Sequence, residues 1–205
     1  MSGGRRVPIA VLVSGGGTNL QALLDAEGSG TLHSGTVALV ISDRPGVFAL
    51  ERAAKAGVET LTLDRKALGR EAFEQALART LQERGIGLVV LAGFLSILSA
   101  SFTDRFAGRI INVHPSLIPA FCGKGFYGLK VHEAALARGV KLTGATVHFV
   151  DSVPDGGPII DQKAVRVLRG DTPETLQQRV MKQAEWVLLP RAAEKVCRDI
   201  LRGRG

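Results

Sequence analysis

Asn112 and His114 stand two residues apart at the end of an apolar run, Arg109 to Val113, that reads as a buried strand. Successive side chains alternate in direction along a strand, so this amide and this imidazole share one face. A carboxylate arriving from another loop would complete a set able to polarise a carbonyl, hold a developing oxyanion and move protons. Asp155, ahead of Gly156-Gly157, is the candidate, and the set suits acyl transfer. Two nucleophiles lie close by. Nothing places Ser116 at a strained elbow, whereas a Cys122 thiolate near an imidazole could carry an acyl group. A small buried cysteine is nevertheless the commoner case. His148 lies on a later strand-like run, Thr143 to Val150, on one face with Thr146 and Val150. Taken singly, Asn112 reads equally as a turn cap, His114 as a satisfied core histidine and Asp155 as a turn former.

The elements that must position these groups alternate along the chain. Pro8 to Val13 is a short apolar run, followed by Ser14-Gly15-Gly16-Gly17-Thr18-Asn19 and a helical pattern over Leu20 to Ala26. Strand, glycine loop and helix start together offer close-approaching N–H groups and a positive dipole end, for which a phosphate is the natural guest. The pattern is neither a P-loop nor a dinucleotide fingerprint, and a lone glycine turn is structural about as often as it binds phosphate. Strands are expected at Thr36–Ile41, Thr60–Leu63 and Ile86–Leu91, with helices over about 47–56 and 70–84. Phe94, Leu95, Ile97 and Leu98 follow the last of these strands, where open α/β sheets place ligand crevices; they read as a cofactor wall or as the start of a core helix. A short helix over Ser101–Phe106 leads to the Asn112 strand. Beyond a glycine-rich loop, Phe121 to Gly128, come a helix over Leu129–Arg138 and two strands, Thr143–Val150 and Pro158–Val167, expected to form a hairpin at the sheet edge. Thr172-Pro173-Glu174 opens a last helix running to about Arg202.

Composition agrees. With 205 residues and 45% hydrophobic content the chain can bury one sizeable core, and apolar strands alternating with helices predict an α/β fold, a mostly parallel sheet flanked by helices. No apolar segment approaches the roughly 20 residues of a membrane span, and the Met1 to Arg6 start lacks the apolar region of a signal peptide, so a cytoplasmic location is expected. Cys122 and Cys197 suggest neither disulfide framework nor zinc spacing, and no metal is expected. The net charge of +7 favours anionic ligands, but basic residues are dispersed and aromatics make up only 5%, which leaves no stacking platform for nucleic acid.

The run Asn112-Val113-His114-Pro115-Ser116-Leu117-Ile118-Pro119, with Asp155-Gly156-Gly157-Pro158 downstream, resembles the signature of the folate-dependent formyltransferases. The glycine loop, Ala92-Gly93-Phe94 and the Phe121 to Gly128 loop extend the resemblance over nearly the whole chain. Together with its short length they select the members that formylate glycinamide ribonucleotide in purine synthesis. The resemblance implies one Rossmann-like domain, residues 1–100 forming a phosphate-binding half and 101–205 a catalytic and folate-binding half. It implies that Asn112 and His114 hold the formyl oxygen and the tetrahedral oxyanion, that Asp155 orients His114 and assists proton transfer, and that His148 sits behind them beside a proton-relaying water. Direct attack by the acceptor amine on 10-formyltetrahydrofolate would need no covalent enzyme intermediate, which reduces Cys122 to a packing residue of a substrate-facing flap.

The same resemblance gives the ribose 5-phosphate to Gly15, Gly16, Gly17, Thr18 and Asn19, supported by Lys182 and Glu185 on a last helix that aligns with some members only after a one-residue shift. It lays the pterin against Phe94, Leu95, Ser96, Ile97 and Leu98, with its ring edge on backbone near Val150 and Asp151, and sends Arg70 toward the charged groups of the ligands. Ser96 departs from relatives that carry Arg there. Partners would be these small molecules, with no nucleic acid or membrane, and the chain a monomer or homodimer. Rival readings are hydrolysis of formyltetrahydrofolate, formylation of another acceptor such as methionyl-tRNA, and a nucleotide-binding module without chemistry. The first two would call for an added regulatory or C-terminal domain, for which 205 residues leave no room.

Overall fold

Strand β1 (Val7–Val13) is apolar at almost every position, and Ile9 to Val13 are fully buried. A strand buried on both faces needs helices on both, and the chain supplies them in the computed structural model, which describes residues 5–203. The Met1–Gly4 part of the amino-terminal stretch and the closing Arg204-Gly205 lie outside the described residues. In order there follow α1 (Thr18–Gly28), β2 (Gly35–Ser42), α2 (Phe48–Lys55), β3 (Glu59–Thr62), α3 (Arg65–Leu68), α4 (Arg70–Glu83), β4 (Leu88–Leu91) and α5 (Ala100–Arg105). The rest comprises β5 (Ile110–His114), α6 (Leu129–Arg138), β6 (Leu142–Phe149), β7 (Ile159–Arg166), α7 (Pro173–Val180), a π turn (Met181–Glu185) and α8 (Trp186–Leu201).

The strands form one seven-stranded sheet in the order β3-β2-β1-β4-β5-β6-β7. Pairings from β3 through β5 are parallel, while β6 runs antiparallel to β5 and β7 antiparallel to β6. This is the expected mostly parallel α/β sheet with an antiparallel hairpin at one edge. One core cluster joins Val11, Leu23, Val90, Val147, Val180 and Leu189 on one face; a second joins Leu12, Ile41, Phe73, Leu77, Phe102 and Ile110 on the other. After β1 the chain moves outward to β2 and β3, then returns to place β4 on the other side of β1, so the order reverses between β1 and β4. That reversal opens a crevice at the strands' carboxyl ends. Ser14 and Gly93 face each other across it, joined by a 3.2 Å backbone hydrogen bond.

One local outcome decides an open alternative and two differ from the sequence reading. Phe94 to Leu98 form no helix: α5 begins only at Ala100, capped by the Ser99 hydroxyl, and Leu95 and Ile97 stay 54% and 59% exposed. A short helix, α3, capped by the Asp64 carboxylate, precedes α4 and was not foreseen. The last helix is not a single α-helix, because the π turn interrupts it at Met181–Glu185. Glu185, the last residue of that turn, lies beneath the glycine loop, where it accepts from Asn19.

Helix α8 is tied to the far end of the sheet by Glu194. Its buried carboxylate accepts from the backbone N–H groups of His33 and Ser34 at 3.0 and 2.8 Å and from the Ser34 hydroxyl at 2.7 Å. Because Glu194→Ala strands these donors, it should lower unfolding free energy by about 2–4 kcal/mol; urea unfolding reads this, and an unchanged midpoint would mean that the tether contributes nothing.

Candidate active site

Strand β5 ends at His114, and the antiparallel register sets Asn112 opposite His148 and His114 opposite Thr146. Residues directly opposite in such a pair project to the same face, so all four side chains gather on one side of the sheet. Asp155 joins them from the β6–β7 loop. Its backbone is left-handed, φ 55°, and a Cβ on Gly157 would stand 1.9 Å from the Phe149 carbonyl oxygen, so only glycine lets the loop fold this tightly. The fold-back brings Asp155 Oδ2 to 3.5 Å from His114 Nδ1, and Oδ1 to 3.5 Å from both His148 Nε2 and Asn112 Nδ2. The expected set of Asn112, His114, Asp155 and His148 is therefore assembled from two strands and a loop.

Asp155 is largely buried, and burial is the strongest influence on its carboxyl, pushing the pKa up. The opposing influences win: the His148 hydrogen bond, the charge of His114, the Gly123 N–H and the charge of His148 together hold it below its ordinary value. His148 is 1% exposed and donates from Nδ1 to the Phe149 carbonyl at 2.7 Å, while its Nε2 stands 3.2 Å from Asn112 Nδ2 and 3.5 Å from Asp155 Oδ1. His114 meets an acceptor on each side, Asp155 at Nδ1 and the Phe121 carbonyl oxygen, 2.8 Å from Nε2. A doubly protonated ring satisfies both.

The Phe121 contact shows what sequence could not. The Phe121 to Gly128 loop, expected only to face substrate, touches the reactive groups with its backbone: Phe121, at φ 51°, presents its carbonyl to His114, and the Gly123 N–H donates to Asp155 Oδ2 at 2.8 Å. The segment before it is pinned by Thr146, whose hydroxyl donates to the Ser116 carbonyl at 2.7 Å and accepts from the Ile118 N–H at 3.1 Å. Neither candidate nucleophile is poised. Ser116 is fully buried and donates to the Ala120 carbonyl at 2.6 Å. The Cys122 thiol donates to the Pro119 carbonyl, and its pKa is pushed up by burial and by the Asp155 charge, which disfavours the thiolate. His132, fully buried on α6, was not singled out by the sequence; neither ring nitrogen meets a partner among the described residues, and burial foremost, with the His114 charge, pushes its pKa down to about 4.

The glycine loop lies beyond β1. Gly17 is left-handed at φ 73°, and a Cβ there would stand 2.7 Å from that of Ala49. The carbonyls of Gly15 and Gly16 are taken by the Ala49 N–H at 3.1 Å and by Arg52 Nε at 2.8 Å, so α2 holds the acceptor side of the loop. Asn19 Nδ2 donates to Glu185 Oε2 at 2.7 Å, while Asn19 Oδ1 meets no partner among the described residues. Glu185 is buried, which pushes its pKa up to about 7 against the pull of Asn19. Lys182 is exposed on the π turn.

Two cavities meet at the reactive groups. One of about 130 Å³ is lined by Phe94, Leu98, Asn112, His148 and Val150. The other, about 680 Å³, runs from Gly93 and Phe94 past His114 and Asp155 to Phe126 and Tyr127. Leu95 and Ile97 border both. Ser96 and Asp151 line the smaller one, but the Ser96 hydroxyl donates to Asp43 at 2.6 Å and Asp151 accepts from the Val153 N–H at 2.8 Å. Arg70 lines neither cavity; it is an exposed α4 residue 3.4 Å from Glu74.

Comparison with known proteins narrows what such a site belongs to. The formyl transferase family model matches residues 7–192. Phosphoribosylglycinamide formyltransferase of Escherichia coli (strain K12) is 43% identical over 176 residues, 85% of this chain and 80% of the relative. The trifunctional purine biosynthetic protein adenosine-3 of Gallus gallus is 44% identical over 192 residues, 93% of this chain but only 18% of that much longer protein. The crystal structure of glycinamide ribonucleotide transformylase 1 from Symbiobacterium toebii superposes with a TM-score of 0.88 at 45% identity, covering 97% of this chain and 93% of that one. With a family match from the first strand into the last helix, and a relative alike over most of both chains, this chain belongs to the formyl transferase family, among its phosphoribosylglycinamide formyltransferases.

Proposed function

We propose that this chain transfers the formyl group of 10-formyltetrahydrofolate to the amine of N1-(5-phospho-D-ribosyl)glycinamide, giving the N2-formyl product and tetrahydrofolate in purine biosynthesis. The observation that carries the reading is Asp155, a largely buried carboxylate within 3.5 Å of both His114 and Asn112 where the two cavities meet. In this reading the phosphate rests on the Gly15 to Asn19 backbone near Lys182 and Glu185, and the pterin on Phe94, Leu95, Ile97 and Leu98 with its edge at Val150 and Asp151.

The acceptor amine attacks the formyl carbon, and the carbonyl oxygen becomes an oxyanion. Asn112 and a cationic His114 hold that charge, worth several kcal/mol in a site closed to water. Asp155 keeps His114 oriented and charged, and takes part in moving the amine proton to the departing folate nitrogen; His148 fixes Asp155 and Asn112 from behind. The Phe121 carbonyl now occupies the hydrogen-bonding position at His114 Nε2 that the formyl oxygen needs. The flap therefore withdraws that carbonyl when substrate enters. Asp155 is held ionised by its neighbours, so its contribution persists down to acid pH and is lost only as pH falls through its depressed pKa.

Purified protein with 10-formyltetrahydrofolate should release tetrahydrofolate only when glycinamide ribonucleotide is added. Release without the acceptor would favour hydrolysis, and no release in either case a binding module. His114→Ala and Asp155→Ala should each cut turnover on the order of a hundredfold or more, with Cys122→Ala keeping most activity; a large loss in the cysteine variant would restore the acyl-enzyme route.

A further inference from the structure

The phosphate loop and the apolar wall come from different strands, yet one buried carboxylate joins them. Asp43, immediately after β2, is 3% exposed and lines neither cavity at the reactive groups. Its Oδ2 accepts from the Ser96 hydroxyl at 2.6 Å and its Oδ1 from Arg44 Nε at 3.0 Å, while the Asp43 N–H donates to the carbonyl of Val13, the residue before Ser14, at 3.4 Å. Ser14 accepts the Leu95 N–H at 3.0 Å through its hydroxyl oxygen, and its own N–H donates to the Gly93 carbonyl. Ser14 is the residue before Gly15, and Gly93 to Ser96 is the stretch that turns Leu95 toward the cleft. Burial alone would push the Asp43 carboxyl up; Arg44, Ser96 and Ser14 together outweigh it and keep it ionised.

Phe94 stacks on Phe73 and Leu98 is buried in the core, but Leu95 and Ile97 between them project outward. Residues 92–98 lie in neither helix nor strand, and at their far end Ser99 is tied by its N–H and hydroxyl to Glu74. Leu95 and Ile97, the exposed apolar side chains between these two anchors, owe their position at the near end to Asp43 and Ser14. We infer that Asp43 is a positioning residue that couples the two halves of the site: a ligand ordering the Gly15 to Asn19 loop stiffens the Leu95–Ile97 wall, and a ligand on the wall stiffens the loop. When one ligand has ordered the shared segment, the second loses less conformational entropy on binding, and by linkage the effect is the same in either direction. This inference rests on the proposed pair of substrates.

The test uses a pair that cannot react, glycinamide ribonucleotide with tetrahydrofolate, and measures the Kd of each alone and with the other saturating by calorimetry. In the unaltered chain each ligand should tighten the other by about fivefold or more. In Asp43→Ala the ratio should fall to about one while each separate Kd stays within about threefold. Asp43→Asn keeps an acceptor for Ser96 and should recover part of the ratio. The inference is overturned if the unaltered chain shows no coupling, if Asp43→Ala keeps it, or if that variant loses one separate affinity while the ratio survives. If the unaltered chain binds neither ligand, the formyl transfer reading itself falls, and the coupling with it.

Discussion

One carboxylate holds this site together. Asp155 is largely withdrawn from water beside two histidines and an asparagine, and a charge so placed is tolerated only when its oxygens are well bonded. Three of the four groups around it need a particular backbone: Asn112 and His114 two apart at the end of β5, His148 opposite Asn112 in register on β6. The fourth, the Gly123 N–H, comes from the flap. Asp155 reaches them because its own φ is positive and because Gly157 lets the loop pass against the Phe149 carbonyl. A slip of one residue between β5 and β6 would turn His148 to the opposite face and leave the carboxylate underbonded.

The sheet explains why the site has two halves and why they meet. A parallel sheet whose order reverses between β1 and β4 leaves its crevice at their carboxyl ends, where the glycine loop and the apolar wall begin. The antiparallel edge then does what a parallel strand could not: it returns the chain across the end of β5, so that His148 and the Asp155 loop close over Asn112 and His114. The glycine loop after β1 and the Asn112–His114 pair at the end of β5 thereby lie at the same end of the sheet, with the wall after β4 between them.

What was legible in the residues follows from what each kind of signal reports. Strand and helix order came through because buried strands and amphipathic helices write their period into a few neighbouring side chains, and Asn112, His114 and Asp155 were readable because their types and order are chemically unusual. The Phe94 to Leu98 run was ambiguous, since apolar residues look alike in a helix and in a wall, and the outcome depends on where Ser99 caps α5. The π turn left no mark, because its residues suit an uninterrupted α-helix equally well. Contacts made by backbone, such as the Phe121 carbonyl on His114, have no sequence signature, because any residue has a carbonyl. The Asp43–Ser96 bond spans 53 residues; nothing in either neighbourhood announces it. Ser96, expected among the folate-facing residues, turns out to spend its hydroxyl on that bond.

If Asp155 acts through His114, the two form one device and their losses do not multiply. The direct measurement is turnover in a cycle of His114→Ala, Asp155→Ala and the double variant. The account predicts a double variant within about threefold of the slower single one, as for residues that work as a unit. A double variant slowed by the product of the two single losses would contradict it, and would show that the histidine and the carboxylate act independently.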